Sequence, residues 1–529
     1  MSTSISNTSV GIIGGGPAGL TAAYELQKLG PEYRPLVLEA GGRVGGIART
    51  ENHKGFRFDI GGHRFFTKIP EVQAIWQEVL GDDFITVPRL SRIYYRDAFY
   101  DYPLKLSNAL SNLGIIEAAW IGASYLRWRI LPNRREDTFE EWVINRFGKR
   151  LYTHFFKTYT EKVWGVPCTE IRSDWAAQRV KDLSLSKALW QALGGASNVT
   201  SLIEEFQYPR LGPGMLWERM AGKIGAANGE VRLKSYVNAV NHDGRRVTSI
   251  DVATEREDGS VRAYEMKADH FINSMALRDL LNCMNPAPPP DVLAAARRLK
   301  YRDFLVVTLV LDHADPFPDN WIYVHSDDVR VGRIQNFRAW SDEMVPEPDR
   351  ASIGMEFFCN DDDDFWAKSD AELIELAAQE LEKIHLAPAS SVIDGVVIRQ
   401  PKSYPVYDSE YSDALAVVRD WLSGFENFQT VGRNGLHRYN NQDHSMLSAV
   451  YAARNIAGAT YDVWGINVDR AYHEEFQTKP YEGRTDTGAD YAHGAGRKVA
   501  AEKPAEHQSL GPVVTQSGRD EEPIEAQAT

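Results

Sequence analysis

The chain has 529 residues, of which 43 % are apolar and 25 % charged, and its net charge is −14. That length supports two or three domains, or one large two-domain enzyme, and the composition is that of a globular protein with ample core. The acidic balance argues against nucleic acid as the main partner, because backbone binding draws on Lys and Arg.

The first element is a short apolar strand, Val10 to Ile13. Gly14-Gly15-Gly16-Pro17-Ala18-Gly19 then fits GxGxxG, Leu20 to Leu29 follow with helical spacing, and Gly30 stands at the expected C-cap. A second strand, Pro35 to Leu38, ends at Glu39. In such a unit the glycines (Gly14, Gly16, Gly19, with Pro17 and Ala18 between) bring backbone to a pyrophosphate at a helix N-terminus. Glu39 accepts from ribose hydroxyls. The stretch "EAGGRVGGIART" places Arg43, Gly45 and Gly46 directly afterwards, a second phosphate-approaching turn that NAD enzymes usually lack. The paired turns resemble flavoproteins of the amine oxidase and protoporphyrinogen oxidase type, which implies FAD. "FRFDIGGHRFF" adds an alternating strand ending in Gly61-Gly62-His63. Glycines there admit a ring system close to the backbone. His63 is either a core histidine or an isoalloxazine contact.

Residues 67–204 read as a mainly helical insertion. Val72, Ile75, Trp76 and Val79 share one helix face, and a second helix opens at Asp137 or Thr138 as N-cap. Between 205 and 275 the period returns to two: "EVRLKSYVNAV", "RRVTSIDVATE" and "VRAYEMKADHFIN" read as a meander, with Val237 a backbone contact on the adenine side. Residues 276–424 alternate strands ("FLVVTLVLD", "NWIYVHS", "VGRIQNF", "SIGMEFFC") with the helix "DAELIELAAQELEKIHL". The acidic run Asp361 to Asp364 reads as a solvated loop ahead of that helix, with no spaced oxygen-ligand pattern for a metal. Residues 425–475 return to a strand and a helix, and residues 480–529 lose apolar periodicity, as a disordered tail does. The expected fold is α/β. A discontinuous Rossmann-type FAD domain (8–66, 205–275, 425–475) carries the helical insertion and an antiparallel-sheet substrate domain. Three scattered cysteines suit a reducing cytoplasm, the N-terminus has no signal-peptide pattern, and no run approaches the roughly 20 apolar residues of a membrane span.

Further motifs narrow the reading. "YYRDAFYDYPL", "FEEWVINRFG", "YTEKVWGVPCTEIRSDWAAQRV", "FQYPRLGPGMLW", "NWIYV", "SYPVYD" and "GR…RYNNQDHS" resemble, in order and spacing, the UDP-galactopyranose mutases. The last is especially similar to the eukaryotic-type mutases. The resemblance implies interconversion of UDP-galactopyranose and UDP-galactofuranose, or of a related UDP-sugar, through a reduced-flavin N5 adduct. It also implies NAD(P)H as external reductant and a cell-envelope polysaccharide route. A diphosphate leaving group requires cations, preferably bidentate arginines. The candidates are Arg179, Arg433 and either Arg330 or Arg333, with Arg333 preferred because it lies inside a strand-like run. His63, Arg333 and Arg433 are the candidate catalytic group. Tyr102 matches the uridine-side tyrosine and Trp164 the uridine-pocket tryptophan, while Tyr323, Tyr404 and Tyr439 match tyrosines that hold the diphosphate. Leu104 and Thr160 stand where the eukaryotic-type pattern has an aromatic and an asparagine. Around the last helix, Gly432, Asn441, Gln442 and Asp443 are assigned to the flavin, with Asp443 or Ser445 as helix cap. The alternative function is a FAD-dependent oxidoreductase of the protoporphyrinogen oxidase or amine oxidase type. A flavin-bearing structural protein fits less well, because polar pocket residues are dense.

Overall fold

The computed structural model describes residues 7–102, 106–173 and 205–467. Its first sheet is five-stranded and wholly parallel. The order is Phe428–Thr430, His270–Asn273, Thr8–Ile13, Tyr33–Leu38, Glu230–Arg232. Parallel strands must be covered on both faces. On one face the helices Pro17–Leu29, Gly214–Ala226 and Gln442–Ile456 bury Leu20, Leu26, Trp217, Met446 and Val450 against Val10, Ile12 and Val37. On the other, Ile13, Leu38 and Phe271 pack against Val240, Ile250 and Val252 of an antiparallel sheet formed by Ser235–His242, Val247–Glu255 and Val261–Met266.

The expected single strand "EVRLKSYVNAV" is two strands. Glu230–Arg232 extends the parallel sheet, and Ser235–His242 starts the antiparallel one. Lys234, at φ 49°, makes the break. The amides of Lys234 and Ser235 donate to the Gly41 and Glu39 carbonyls at 2.9 and 2.8 Å, so the chain crosses between sheets at the acidic turn.

A seven-stranded sheet runs in the order Val392–Pro405, Tyr301–Leu311, Ala351–Cys359, Arg333–Asn336, Trp321–Val324, Ser91–Tyr95, Ala98–Asp101. Neighbours are antiparallel except Trp321–Val324 and Ser91–Tyr95, which pair in parallel. Its last two strands come from the stretch expected to be helical. The cause is local: "SRIYYRDAFYD" is aromatic-rich, and Arg96 and Asp97 (φ 49° and 56°) form a two-residue turn with both φ positive, the geometry that matches strand twist. Phe84–Pro88 likewise pairs with Glu205–Pro209. Among the described residues of this segment, Pro70–Leu80 forms the expected helix with Val72, Ile75, Trp76 and Val79 buried, Lys149–Tyr152 is a single helical turn, and the longer helices after residue 102 are Leu106–Leu113, Ile115–Ile130, Phe139–Phe147 and Thr158–Trp164. Thr138, one of the two N-cap candidates of the sequence, caps the helix Phe139–Phe147 in a reciprocal pair with Glu141. A π-helical turn at Thr153–Lys157 precedes the fourth and re-aims it. No helix among the described residues is long and apolar enough to cross a membrane.

Asp59 ends the strand Phe56–Asp59 and is fully buried, with no cation partner among the described residues. Thr50 donates to Oδ1 at 2.9 Å and the Tyr208 hydroxyl donates to Oδ2, while Thr50 Oγ1 accepts from the Gly214 amide. Burial pushes the carboxyl up to about 7, against the pull of the two hydroxyl donors. Between about pH 4 and about pH 7 the folded state therefore holds a proton that the unfolded chain has lost, and this group's contribution to stability falls as pH rises through that window. Asp59→Asn should remove the dependence. The stability of this variant relative to the parent should climb between about pH 4 and about pH 7, by up to ~4 kcal/mol. A constant offset across that range would refute the assignment.

Candidate functional site

Two glycine turns form a cradle at the carboxyl end of the first strand. Gly14, at φ 99°, donates its amide to the Leu38 carbonyl at 2.8 Å. A Cβ on Gly19 would lie 1.8 Å from the Gly14 carbonyl oxygen, so the first helix sits as close to the turn as backbone permits. That helix starts at Gly16 with no side-chain cap and no acidic residue in its first turn, leaving its amides and positive dipole end for an anion. The second turn lies against the first: the Gly45 amide donates to the Gly15 carbonyl at 2.8 Å, and a Cβ on Gly46 would lie 3.2 Å from Gly16 Cα. Glu39 is fixed by both turns, with Oε2 accepting from the Gly15 amide at 2.7 Å and Oε1 from Gly41 at 2.6 Å. Pro17 and Ala18 open the helix beside the cradle, and Arg43 sits near the rim, 3.7 Å from Glu51. Val237 lies at a bulge two residues beyond the chain crossing, where the ladder to Val252 is interrupted.

The last helix brings a second N-terminus to this cradle. Gly432, at φ 86°, hands its amide to Ser448 Oγ at 2.9 Å, and a Cβ on it would lie 3.0 Å from the Ala18 Cβ. The cap differs from expectation. Asn441 is the N-cap and makes no side-chain cap bond, whereas Asp443 and Ser445 lie inside the first turn. Asp443 Oδ1 accepts instead from the His444 amide at 2.8 Å. Gln442 Oε1 is buried with no hydrogen-bond partner among the described residues. The uncapped helix ends, the glycine cradle and this orphaned oxygen fit a dinucleotide cofactor.

Beside the cradle lies a polar, aromatic pocket centred on Arg333. Strand register sets Arg333 directly between Tyr323 and Glu356. Its Nε donates to the Tyr159 hydroxyl at 2.7 Å, and Nη1 donates to the Tyr404 hydroxyl at 3.1 Å and to Glu356 Oε2 at 3.3 Å. Burial pulls its pKa down, but Tyr159, Tyr404 and Glu356 outweigh that and hold the guanidinium well above its usual value. Glu356 is fully buried. Burial raises its pKa, opposed by Arg333 and by Gln335, whose Nε2 donates to Oε1 at 3.0 Å.

Arg433 lies 5.6 Å from the Tyr404 ring, as Arg333 lies 6.0 Å from it. Its Nε donates to the Asn440 carbonyl at 2.9 Å and Nη1 to the Ser403 carbonyl at 3.0 Å, and it has no carboxylate partner among the described residues. Two of its five N–H groups are thus committed to backbone. The two arginines flank a stacked tyrosine pair: Tyr404 and Tyr439 lie 5.5 Å apart at 23°, with Arg433 4.8 Å from the Tyr439 ring. Trp164 closes the back of that pair, edge-on to Tyr404 and Tyr439 at 6.2 and 5.9 Å. It is buried in the core wall, as is Thr160. Tyr102 and Tyr323 meet at 5.0 Å on the outer side. His63 points Nδ1 at the Gly61 carbonyl, 2.9 Å away. Burial and then the Arg433 charge lower its pKa to about 4, so the ring is neutral near pH 7.

Two expected residues behave differently. Arg330 is not in the pocket: its guanidinium lies 4.2 Å over Phe365 and its amide donates to Glu380. Gly62, read as a close approach for a flavin, is required by the protein itself, because a Cβ there would fall 1.0 Å from the Trp321 ring. Gly61 keeps the positive φ, 84°, that turns the loop over Glu356. Leu104, Arg179 and the tail 480–529 lie outside the described residues.

Sequence reading missed Tyr159, Glu356 and Lys162. A lone carboxylate inside the apolar strand "SIGMEFFC" was the available signal for Glu356. Lys162, one turn after Tyr159, donates to the carbonyls of Ser326, Val329 and Val331 at 2.7–3.0 Å. It thereby ties the Tyr159 helix to the loop that leads into Arg333. Burial lowers its pKa to about 8.

Known proteins resemble this chain in sequence and in fold. The model of the flavin containing amine oxidoreductase family matches residues 17–428. Coproporphyrinogen III oxidase of Mycobacterium tuberculosis is 24 % identical over 428 residues, covering 78 % of this chain and 90 % of that protein. Among solved structures, a reduced UDP-galactopyranose mutase superposes with a TM-score of 0.74 at 20 % identity, covering 86 % of this chain and 97 % of that one. Putrescine oxidase bound to putrescine gives 0.55 at 17 %, covering 86 % and 99 %. At those identities the structural likeness establishes the fold alone.

Gly19→Ala tests the cradle. The added methyl must displace helix or turn, at a cost of about 1–3 kcal/mol or more. The purified variant should lose flavin absorbance and melt lower. Gly42→Ala, whose Cβ would meet nothing within 4 Å, should retain both. Equal flavin content in the two variants would contradict the cradle assignment.

Proposed function

The chain belongs to the flavin containing amine oxidoreductase family, and from that premise we propose that it is a FAD-dependent nucleotide-sugar mutase interconverting UDP-galactopyranose and UDP-galactofuranose, or a related UDP-sugar. One observation carries the reading: two guanidiniums, Arg333 and Arg433, flank the stacked Tyr404–Tyr439 pair. An apolar or amine substrate has no use for two cations and two hydroxyl donors. A departing diphosphate uses all four. Bound in reduced form, FAD supplies the nucleophile for the anomeric carbon, with NAD(P)H as the external reductant.

The chain's own residues do the rest. Gly14, Gly16, Gly19, Gly45 and Gly46 admit the pyrophosphate of FAD, Glu39 holds its ribose, and Gly432, Asn441, Gln442 and Asp443 meet it from the last helix. Neutral His63 braces the Gly61 turn beside the ring system. Glu356 and Tyr159 hold Arg333 charged and oriented, so its remaining N–H groups meet a phosphate already aligned. Arg433 supplies the second cation, and Tyr404 and Tyr439 donate hydroxyls. Tyr102 offers the platform for uracil, and Tyr323 beside it joins Tyr404 and Tyr439 at the diphosphate. Trp164 supports the tyrosines from behind, and Arg179 is the proposed third cation.

Oxidation of a porphyrinogen is the second reading, favoured by the similarity to coproporphyrinogen III oxidase over 78 % of the chain. Arginines also suit substrate carboxylates, so binding decides. UDP should perturb the flavin spectrum of the parent protein. Arg433→Ala and Arg333→Lys should each raise the UDP dissociation constant at least about tenfold, the ~1.5–3 kcal/mol of a charge-assisted bond, at unchanged flavin content. A parent protein whose flavin ignores UDP while responding to a porphyrinogen would favour the second reading.

A further inference from the structure

Helix Ile115–Ile130 is held from inside by apolar and polar contacts together. Trp128 packs against the core cluster that contains Trp142 and Phe147. Glu117 accepts from Nε and Nη2 of Arg150 at 2.5 and 2.7 Å, and lies 2.7 Å from Nε2 of His154, whose Nδ1 is 2.9 Å from the Tyr95 hydroxyl. Ser124 Oγ accepts from the Arg150 amide at 3.1 Å. Gly148 packs so tightly that a Cβ would lie 2.8 Å from the Tyr125 nitrogen. Ile121 is the one buried residue of the helix. The outward side chains are apolar: Ile115, Ile116, Trp120 and Ile130 are 86, 78, 57 and 74 % exposed, and Leu126 and Leu131 are exposed beside them. The 116–120–126–130 spacing keeps to one helix face. An ordinary surface helix buries such a stripe and shows water its charges. Here a partly exposed ion pair, Glu117 with Arg150, and the packed Trp128 fix one side of the helix while an apolar stripe still faces out.

The charge around the stripe is as distinctive. Residues 115–135 carry Arg127, Arg129, Arg134 and Arg135 against Glu117 alone, four minus one, a local +3 in a chain of net −14. All four arginines are exposed, and Glu117 is committed to Arg150 and His154.

We propose that this helix docks the protein on an anionic lipid surface, with the Ile116–Trp120–Ile130 stripe at the headgroup–acyl boundary and the arginines on lipid phosphates. Exposed aliphatic residues and tryptophan, rimmed by arginines whose stems can lie along the apolar layer, are what interfacial helices use. A second copy of the chain fits less well. It would bring its own net charge of −14, and the helix offers no free carboxylate to meet a partner's arginines. The docking is independent of the reaction proposed above.

Vesicle co-sedimentation of the full-length holoprotein tests this. Vesicles of phosphatidylcholine with phosphatidylglycerol should pull the protein down, phosphatidylcholine alone much less, and added salt should weaken the binding. Ile116→Glu with Ile130→Glu, and separately Arg127→Ala with Arg129→Ala, should each cut partitioning at least about tenfold. Melting temperature and flavin content should hold, because these side chains are exposed. No pull-down by anionic vesicles, or pull-down that neither double variant reduces, overturns the proposal. So does a dimer seen by light scattering that the isoleucine variant dissolves.

Discussion

The pocket depends on keeping one arginine charged away from water. Arg333 has a side chain 13 % exposed and its partner Glu356 is fully buried. A buried pair of this kind costs desolvation on both sides, and removing one partner typically destabilises by about 3–5 kcal/mol. The surrounding chain is arranged to meet that cost. Glu356 comes from the strand next to Arg333, Gln335 from the same strand, Tyr404 from the far edge strand and Tyr159 from the helical insertion. Gly61 and Gly62 turn over Glu356, and Trp321 fills the space that any side chain on Gly62 would take. Five separate stretches converge on one guanidinium, so the helical segment and the seven-stranded sheet hold a common register.

Arg433 is managed in the opposite way. It is held by backbone carbonyls and aromatic rings and is left without a counter-ion among the described residues, next to a histidine kept neutral by burial and by that same charge. The pocket thus holds one neutralised and one uncompensated cation beside a tyrosine stack. The same loop carries Gly432 and leads to Asn441 and Gln442 at the start of the last helix, so the glycine cradle and the arginine–tyrosine pocket are joined by a few residues of chain.

The cofactor cradle was legible because it is local. Gly14 to Glu39 encode turn, helix, strand and acidic residue within one unit, and Gly16 and Gly19 answer to close backbone contacts of the folded chain. The pocket was legible only in part, because it is assembled from distant strands. Arg330 and Arg333 look alike in sequence and are separated by strand pairing, which turns one onto Phe365 and the other between Tyr323 and Glu356. Tyr159 and Lys162 read as ordinary helix residues until the loop 324–331 is seen beneath them. The strands at 91–101 were hidden by the helical periodicity on either side, although the Arg96–Asp97 turn carried their signal. Gly62 showed that a glycine beside a proposed cofactor can be demanded by a tryptophan instead.

Turnover by the reduced holoprotein decides most directly between a mutase and an oxidase. Reduced anaerobically with dithionite and given UDP-galactofuranose, it should form UDP-galactopyranose over many cycles with no net oxidation of the flavin, and the oxidised protein should form none. Absence of any sugar interconversion by the fully reduced protein, together with oxygen-driven oxidation of a porphyrinogen or an amine, would contradict it.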